Sequence, residues 1–569
     1  MYIDIVPNRG SSPTILLRES FRENGKVRKR TIANLTNWPS ERIEIARKLL
    51  KGELDDGMIL KQRPVSGPIF AVLFVLKTLS DRLKITSSFG KSKLAKVALY
   101  LVFSRIFAQG SRLHALKSSE HHALFETLGI DSLMLDDLYY ALDWLADNQE
   151  RIEKRLFKSQ YQNSSIPDLF LYDVTSSYFE GDQNELADWG YNRDKKSGKK
   201  QIVIGLLTDK KGEPIAVRVF NGNTSDTTTV PEQILSLSKK FNVERLTFVG
   251  DKGMIRGPQI SQLTKANFNY ITSVTKKEIN KLLTQDRIQL GLFTETIAEV
   301  EDEIEVKLEE LNSEGKKVER KIKQKIRYII RRNPLRAEEI QLNRKKKIVQ
   351  IEKFAIKKSN YLKEGDRRST EVAQREVMSK IKKLKISKAV IAEIDKNDKK
   401  RIVIRIDKEE LSEVEKLDGC YVIKTDLHKD IITAKDAHDR YKDLSKVERA
   451  FKRIKTDFLE IRPIFVRLEK RTRGHVFASM LSYKILREMR RNLSNIFLLD
   501  EDGRLEMTEK NVIEALNRIT LLYYETKDGE IIADISKPDQ KQKRILDALN
   551  ITLPVLISKK NREKLLGGI

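Results

Sequence analysis

Five short apolar segments between residues 168 and 275 constrain the fold of this chain most strongly. They are rich in β-branched and aromatic residues and nearly continuous in apolar character: DLFLYDVTSSYFEG (168–181), QIVIGLLTD (201–209), PIAVRVFNGN (214–223), RLTFVGDKG (245–253) and NFNYITSVT (267–275). Such segments are typical of strands buried on both faces of a sheet. TTVPEQILSLSKKF (228–241) has the apolar spacing of a helix, with Pro231 in its first turn. Strands joined through a crossover helix predict an α/β sheet.

A charged segment from 276 to 417 interrupts this pattern. Residues 299–311 hold seven acids and one lysine, net −6, whereas residues 321–350 hold eleven bases and two acids, net +9. The segment has strand and helix patterns of its own, in the order KIRYIIRR (325–332), AEEIQLNRKKKIVQIEKFAIKKSNYL (337–362), STEVAQREVMSKIKKL (369–384), AVIAEID (389–395) and KRIVIRID (400–407). The strand-like DGCYVIKTD (418–426) then resumes the earlier pattern. We therefore predict a domain inserted into the sheet rather than a loop.

The N-terminal region has a different pattern. Two extended runs flank Asn24-Gly25, which is a strong hairpin signal. The predicted hairpin presents six bases: Arg18, Arg22, Lys26, Arg28, Lys29 and Arg30. Helical spacing then continues from residue 41 to about residue 158. We expect a mainly helical N-terminal region that begins with a β-hairpin.

Composition excludes several classes of protein. The chain has 569 residues, a net charge of +27 and a pI near 9.6, which favours a polyanionic partner such as nucleic acid. Its single cysteine, Cys420, excludes a disulfide scaffold and a thiolate zinc site and is typical of a reducing cytoplasm. The N-terminus has no signal-sequence pattern, and the longest apolar stretch, 68–79, is too short to span a membrane. We therefore expect a cytoplasmic protein without a membrane partner.

Two aspartates lie in or at the end of predicted strands, and α/β sheets carry functional side chains at such positions. Asp173 interrupts an apolar run, and Asp251 stands at the end of LTFVG with Gly253 just behind it. A carboxylate in a buried strand is costly unless it is paired or binds a metal ion. For either residue alone, a turn-capping role has about even odds, because Asp is a common turn residue.

A third acid lies in RYKDLSKVERAFKRIKTDF (440–458). Taken as one α-helix, this segment places Tyr441, Leu444, Glu448 and Lys455 in one sector, beside an apolar stripe formed by Leu444, Val447, Phe451, Ile454 and Phe458. Arg449 and Lys452 point away from that stripe, where they are placed to contact phosphates. On the helix alone, an ordinary amphipathic helix with Glu448 paired to Lys455 or Lys452 is the better interpretation.

Together these residues resemble the DDE transposases of bacterial insertion sequences, in the insertion-sequence-four superfamily. That group carries the signature Y-x2-R-x3-E-x6-K, and here Tyr441, Leu444, Glu448 and Lys455 have the same spacing, with Leu444 in place of Arg. LYDVTSSYFEG around Asp173 and FVGDKG around Asp251 are similar to the first and second acid motifs of the family. The resemblance covers roughly residues 168–490.

The resemblance implies an RNase H-like core in which Asp173, Asp251 and Glu448 bind two Mg²⁺ ions, with Mn²⁺ as a substitute. Its substrate would be double-stranded DNA, the terminal inverted repeats of the element and the target, bound by a homodimer at the nucleoid. Contacts to DNA are expected from Tyr441, Arg449, Lys452, Lys455 and Lys252. Two metal ions bound side by side in this way suit in-line phosphoryl transfer.

The predicted organisation has five regions: a DNA-binding region (1–160), the first part of the core (161–275), the insertion domain (276–417), the second part of the core with the Glu448 helix (418–495) and a helical C-terminal region (496–569). Two alternatives stay open at this point. One is an inactive or domesticated relative that only binds DNA, and the other is an RNase H-like, structure-selective nuclease without strand transfer.

Overall fold

The structure is a computed structural model of the chain. It describes residues 1–554 except 10, 24, 53–64, 163–166, 182, 192, 195, 197, 236, 238–240, 242–245, 295–296, 312–316, 366, 460, 462–463, 497–506 and 526–530. The strands of this described part are β1 Tyr2–Asn8, β2 Ser11–Glu23, β3 Lys26–Asn34, β4 Val65–Ile69, β5 Leu169–Tyr178, β6 Gln201–Asp209, β7 Pro214–Phe220, β8 Thr247–Val249, β9 Asn269–Ser273, β10 Ala298–Leu311, β11 Lys317–Arg332, β12 Val390–Ile394, β13 Ile402–Ile406, β14 Cys420–Thr425, β15 Thr520–Glu525 and β16 Ile531–Ile535.

The helices precede, separate and follow these strands. They are α1 Ser40–Leu50, α2 Ala71–Arg82, α3 Ile85–Phe89, α4 Lys93–Phe107, α5 Arg112–Ser119, α6 Leu124–Leu128, α7 Leu135–Tyr161, α8 Asp226–Leu235, α9 Gly257–Lys265, α10 Lys276–Thr284, α11 Pro334–Lys363, α12 Thr370–Lys383, α13 Lys408–Lys416, α14 Ala434–Lys442, α15 Leu444–Lys452, α16 Glu469–Asn492, α17 Glu509–Leu516 and α18 Gln540–Ala548. A π-turn, Arg453–Asp457, follows α15 directly. In the described residues, no helix is long and apolar enough to cross a membrane.

The chain forms two compact units, and the larger one (76–119 and 130–494) is built on an eight-stranded mixed sheet. The strand order is β10-β11-β14-β9-β8-β5-β6-β7. Strand β5 pairs parallel with β8, which pairs parallel with β9, whereas β6 and β7 are antiparallel. The predicted α/β sheet and its five strands are therefore confirmed, and the sheet is mixed.

Helices α7, α8 and α9 supply the apolar cover of one face of this sheet. Phe157 of α7, Ile234 of α8 and Ile260 of α9 pack in one buried cluster with Phe170 and Phe248 from the central strands. Burial of a large apolar side chain contributes roughly 1.5–3 kcal/mol. The near-continuous apolar character of the strands follows from this burial, which extends to every residue of β6.

The charged segment contributes to the same sheet before it forms a separate core. Its strands β10 and β11 form a long antiparallel ribbon, and β11 pairs with β14. Helices α11 and α12 with strands β12 and β13 then enclose their own apolar cluster, which includes Ile351, Val377 and Ile402. The helices and the strand pair predicted here are confirmed. The division of the chain into five regions stays a prediction.

The smaller unit comprises residues 1–75, 120–129 and 495–568. Its β2–β3 hairpin is confirmed, with Glu23 paired to Lys26, although Asn24 of the turn lies outside the described residues. The sequence did not predict β1, which completes a three-stranded sheet packed on α1 through Ile3 and Ile43. A second sheet has the order β16-β15-β4.

Candidate active site

Asp173 and Asp251 lie beside each other at the point where the parallel pairing of β5 with β8 ends, Asp173 within β5 and Asp251 just after β8. Leu171 of β5 is paired with Val249 of β8, and each aspartate lies two residues further along its parallel strand. The carboxyl ends of parallel strands meet at one edge, which is where α/β proteins place their ligands. The pairing of β5 with β8 therefore brings two aspartates that are far apart in the sequence close together in the fold.

Glu448 comes from helix α15, which packs against β5. Leu444, Val447 and Phe451 of this helix are buried, so the predicted apolar stripe is confirmed at these positions. Glu448 lies on the exposed side of that stripe. Leu444, at the position of the signature arginine, is 8% exposed and is thus an apolar part of the wall.

One cavity of about 670 Å³ brings most of the predicted residues together. Its wall contains Asp173, Asp251, Glu448, Tyr441, Leu444, Lys452 and Lys455, together with Arg193 and Asp194 from the β5–β6 connection. Lys252 and Arg449 are not part of this wall. Lys252 is exposed and lines a neighbouring cavity, and Arg449 is exposed on α15.

The electrostatics of the cavity centre on Asp173. Burial, together with the negative charges of Glu448 and Asp251, raises the pKa of Asp173 to about 7. The Arg193 guanidinium and a backbone hydrogen bond from Val174 act in the opposite direction. A carboxyl group among other carboxylates is stabilised in its charged form by a cation.

Tyr441 fixes the second aspartate. Its hydroxyl donates a hydrogen bond to Asp251 Oδ1 at 3.0 Å and lies 2.8 Å from Ser273 Oγ. Burial and the charge of Asp251 raise the pKa of this hydroxyl, so it stays protonated and remains a donor. Tyr441 therefore orients Asp251 from the end of α14.

The expectation of one continuous α-helix through 440–458 is wrong. Helix α14 ends at Lys442, α15 ends at Lys452, and Lys455 lies in the π-turn, whose wider winding changes the angular position of its residues. The Lys455 ammonium is buried and donates to Thr175 Oγ1 at 3.0 Å, Asp194 Oδ1 at 2.8 Å and the Ser176 carbonyl oxygen. Lys455 thus ties the turn after α15 to the strand that carries Asp173.

Sequence reasoning missed Arg193, Asp194 and Ser273. Arg193 forms an ion pair with Asp226 at the start of α8, and its backbone N–H donates to Ser176 Oγ at 2.9 Å. The connection that carries Arg193 and Asp194 has neither helical nor strand periodicity, so no spacing in the sequence signals its place. The adjacent Arg193 and Asp194 in a polar loop are only a weak signal of a functional site.

Three carboxylates around one cavity fit a divalent cation by their chemistry, because Mg²⁺ prefers hard oxygen ligands and keeps several waters. Burial is the main cause of the raised pKa of Asp173, and the charges of Glu448 and Asp251 add to it. As they stand, no three His, Cys, Asp or Glu side chains in the described residues form a group close enough to hold an ion.

Comparison with known proteins identifies the family. A family model described as the transposase DDE domain matches residues 164–485, more than half of the chain, and one described as the IS1634 family transposase, N-terminal domain, matches residues 3–58. No curated protein sequence matches the chain. Among solved structures, the piggyBac transposase synaptic complex with hairpin DNA is similar at 10% identity, covering 87% of this chain and 82% of that chain with a TM-score of 0.32, too low to support an argument. The chain belongs to the DDE transposases of insertion sequences.

Proposed function

We propose that this transposase binds the terminal inverted repeats of its element, cleaves the ends and joins them to target DNA. The observation that carries the proposal is the convergence of Asp173, Asp251 and Glu448 on one cavity. Burial, with a contribution from the other two carboxylates, raises the pKa of Asp173 to about 7. The sheet order, in which two parallel strands join an antiparallel three-stranded meander, supports an RNase H-like core.

Asp173, Asp251 and Glu448 would bind the Mg²⁺ ions, for which Mn²⁺ is a substitute. When two ions are bound there, they supply activation of the attacking oxygen and stabilisation of the leaving oxygen in an in-line displacement. Tyr441 holds the Asp251 carboxylate in place through its hydrogen bond. Partial burial of Asp173 lowers the effective dielectric around its carboxylate, which strengthens its attraction for a cation.

Basic residues around the cavity would hold the DNA backbone. Lys452 and Lys455 line the cavity, while Arg449 and Lys252 are exposed beside it. Lys455 would have to release at least one of its three acceptors to contact a phosphate, because an ammonium has three donors. We assign repeat recognition to the N-terminal region, whose hairpin presents exposed bases, and expect a homodimer to pair the two ends.

The proposal is tested by cleavage of duplex DNA that carries the terminal repeats of the element. Asp173→Ala, Asp251→Ala and Glu448→Ala should each reduce the cleavage rate by roughly 10²–10³-fold in Mg²⁺, since metal ions supply several kcal/mol to such reactions. Asp168→Ala is the matched control, because Asp168 is an exposed aspartate just before β5 that does not line the cavity. Wild-type cleavage by any of the three variants would remove that residue from the site.

The same assay separates the alternatives. A wild-type protein that binds the duplex and never cuts it is a DNA-binding relative. A wild-type protein that cuts the ends and yields no joined product is a nuclease without strand transfer.

A further inference from the structure

Arg193 lies in the wall of the active-site cavity, at a place that the sequence signature does not predict. The signature has an arginine at position 444, where this chain has the buried Leu444. In the part of the chain that the structure describes, Arg193 is the one arginine in this wall. A guanidinium is planar and can donate to two phosphate oxygens at once, which an ammonium matches poorly. The cavity therefore contains a guanidinium, supplied by the β5–β6 connection rather than by α15.

The backbone of Arg193 is fixed on the strand that carries Asp173. Its N–H donates to Ser176 Oγ of β5 at 2.9 Å, and Ser176 is fully buried. The next residue, Asp194, accepts from the Lys455 ammonium at 2.8 Å, and the same ammonium donates to the Ser176 carbonyl oxygen. The connection is thus attached to β5 just beyond Asp173, so the side chain of Arg193 starts from a defined position.

The guanidinium of Arg193 is oriented by Asp226, the first residue of α8. The two side chains form an ion pair and are 26% and 32% exposed. A Cβ on Gly253 would lie 3.6 Å from Asp226 Oδ2 and 4.0 Å from Asp251 Oδ2, so Asp226 also lies near the second acid of the site. Among the described residues, the bond to Asp226 is the only hydrogen bond that the five N–H donors of this guanidinium make. Donors therefore remain for a ligand in the cavity.

The charge of Arg193 acts on the first acid as well. Of the charges of Arg193, Glu448 and Asp251, that of Arg193 changes the pKa of Asp173 most, and it acts to lower it. A phosphate held over the three acids would therefore lie beside this guanidinium. The Lys455 ammonium, by contrast, already has three acceptors.

We propose that Arg193 is a further catalytic residue, whose guanidinium donates to the non-bridging oxygens of the scissile phosphate while Asp226 holds it in position. This role rests on the proposed function, which brings that phosphate to Asp173, Asp251 and Glu448. In the displacement, the attacking oxygen forms its bond to phosphorus as the bond from phosphorus to the leaving oxygen breaks. Arg193 keeps all its protons and stabilises the charge on the oxygens that stay on phosphorus. Asp226 is a positioning residue, because it acts through Arg193.

The first test is the rate of end cleavage in Mg²⁺. Arg193→Met should lower this rate by roughly 10²–10³-fold, as expected for the loss of a donor to developing charge. Arg193→Lys keeps the charge without the planar fork and should recover only part of the loss. Arg287→Met is the matched control, because Arg287 forms an ion pair with Asp302 at 2.7 Å and does not line the cavity. The control should cleave at the wild-type rate.

A modified duplex tests the contact with the phosphate itself, in buffer without divalent ions. A methylphosphonate replaces the scissile phosphate, at the position that wild-type cleavage maps, and removes its negative charge. The resulting loss of affinity should be about 10–100-fold larger for wild type than for Arg193→Met, which is the range for hydrogen bonds to charged groups. Arg287→Met should respond to the methylphosphonate as wild type does.

Asp226→Asn tests the positioning role. It should lower the cleavage rate less than Arg193→Met does, because the arginine is still present. It should have no further effect in the Arg193→Met protein, because both changes act on the same contact. Additive effects of the two substitutions on the rate would overturn the positioning role of Asp226.

The outcomes separate this role from the proposed function. A wild-type protein that neither binds nor cleaves the terminal-repeat duplex contradicts the proposed function itself. Cleavage by Arg193→Met at the wild-type rate overturns the catalytic role and leaves the function standing. Slower cleavage by Arg193→Met, with the same response to the methylphosphonate as wild type, also overturns it, because Arg193 then does not contact the scissile phosphate.

Discussion

At the scale of a single residue, the raised pKa of Asp173 has the clearest consequence for stability. Its pKa, ordinarily 3.8, is raised to about 7 by burial and by two neighbouring carboxylates. Between those values the folded protein binds a proton that the unfolded chain has released, so stability falls as pH rises from about 4 to 7 and then levels off. The residue that suits a metal ion thus destabilises the metal-free protein at neutral pH.

Asp173→Asn should remove this pH dependence. In buffer with a chelator, the free energy of unfolding of the variant minus that of wild type should grow from pH 4 to pH 7 and stay constant above it. Each pKa unit corresponds to about 1.4 kcal/mol, so a gain of up to a few kcal/mol is expected. Denaturant titrations at several pH values measure it. Parallel stability curves for the two proteins would refute the assigned pKa, and excess Mg²⁺ should diminish the wild-type slope.

At the scale of elements, the charge blocks of the inserted segment have a structural explanation. The acidic run and the first part of the basic run, up to Arg332, lie in the antiparallel strands β10 and β11, whose charges meet diagonally across the ribbon. The pairs are Glu299–Arg327 at 2.6 Å, Glu303–Lys323 at 3.5 Å and Glu305–Lys321 at 3.3 Å. Opposite charges on facing strands contribute roughly 0.2–1 kcal/mol a pair and fix the register. The reversal of sign along the sequence could have predicted this pairing.

The π-turn after α15 makes a second connection between elements, and it can be tested without DNA. Lys455→Met should destabilise the protein by about 3–5 kcal/mol, because it removes one partner of a buried pair with Asp194. Adding Asp194→Asn should recover part of that loss, since no charged carboxylate then remains. Denaturant unfolding of both single variants and the double variant forms the cycle. Additive effects of the two substitutions would show that the pair is not coupled.

At the scale of the whole molecule, the two ends of the α11–α13 segment meet. The Asn333 backbone N–H donates to the Gly419 carbonyl oxygen at 2.9 Å, and Gly419 has φ +72 with Asn333 O only 2.3 Å from where a Cβ would stand. Glycine is therefore required at this close approach. The segment between these residues has its own apolar cluster, and its two ends return to the large sheet side by side.

Replacement of residues 337–416 by a short Gly-Ser linker should therefore leave the large sheet folded. Asp418→Asn must accompany the deletion, because Asp418 is fully buried and loses the Arg344 guanidinium at 2.6 Å. The expected result is a cooperative unfolding transition and near-UV circular dichroism typical of a packed core, with weaker DNA binding. The deletion without Asp418→Asn serves as the control and should be less stable by about 3–5 kcal/mol. A molten product from the double change would show that the segment is part of the core.

Much of the core could be predicted because its signals are local. The strands around Asp173 and Asp251 are apolar wherever the sheet is buried on both faces, and each acid stands where that pattern breaks. Glu448 was found through the spacing of its helix and the family signature. Lys252 and Arg449 were placed with the site by proximity in sequence, but they lie outside its cavity because the chain turns away after β8 and around α15.

By itself, the sequence determined the α/β character of the core, the interruption by a charged segment and the three acids. This was possible because apolar residues recur every two to four positions in strands and helices that are buried on one side. The tertiary structure decided which groups meet. Residues far apart in the chain are brought together at the edge of the sheet, as with Lys455 and Asp194, or Tyr441 and Asp251. It also showed that, within the described residues, the buried Thr272 Oγ1 has no hydrogen-bond partner, because a missing hydrogen bond is a property of the packed fold and leaves no pattern along the chain.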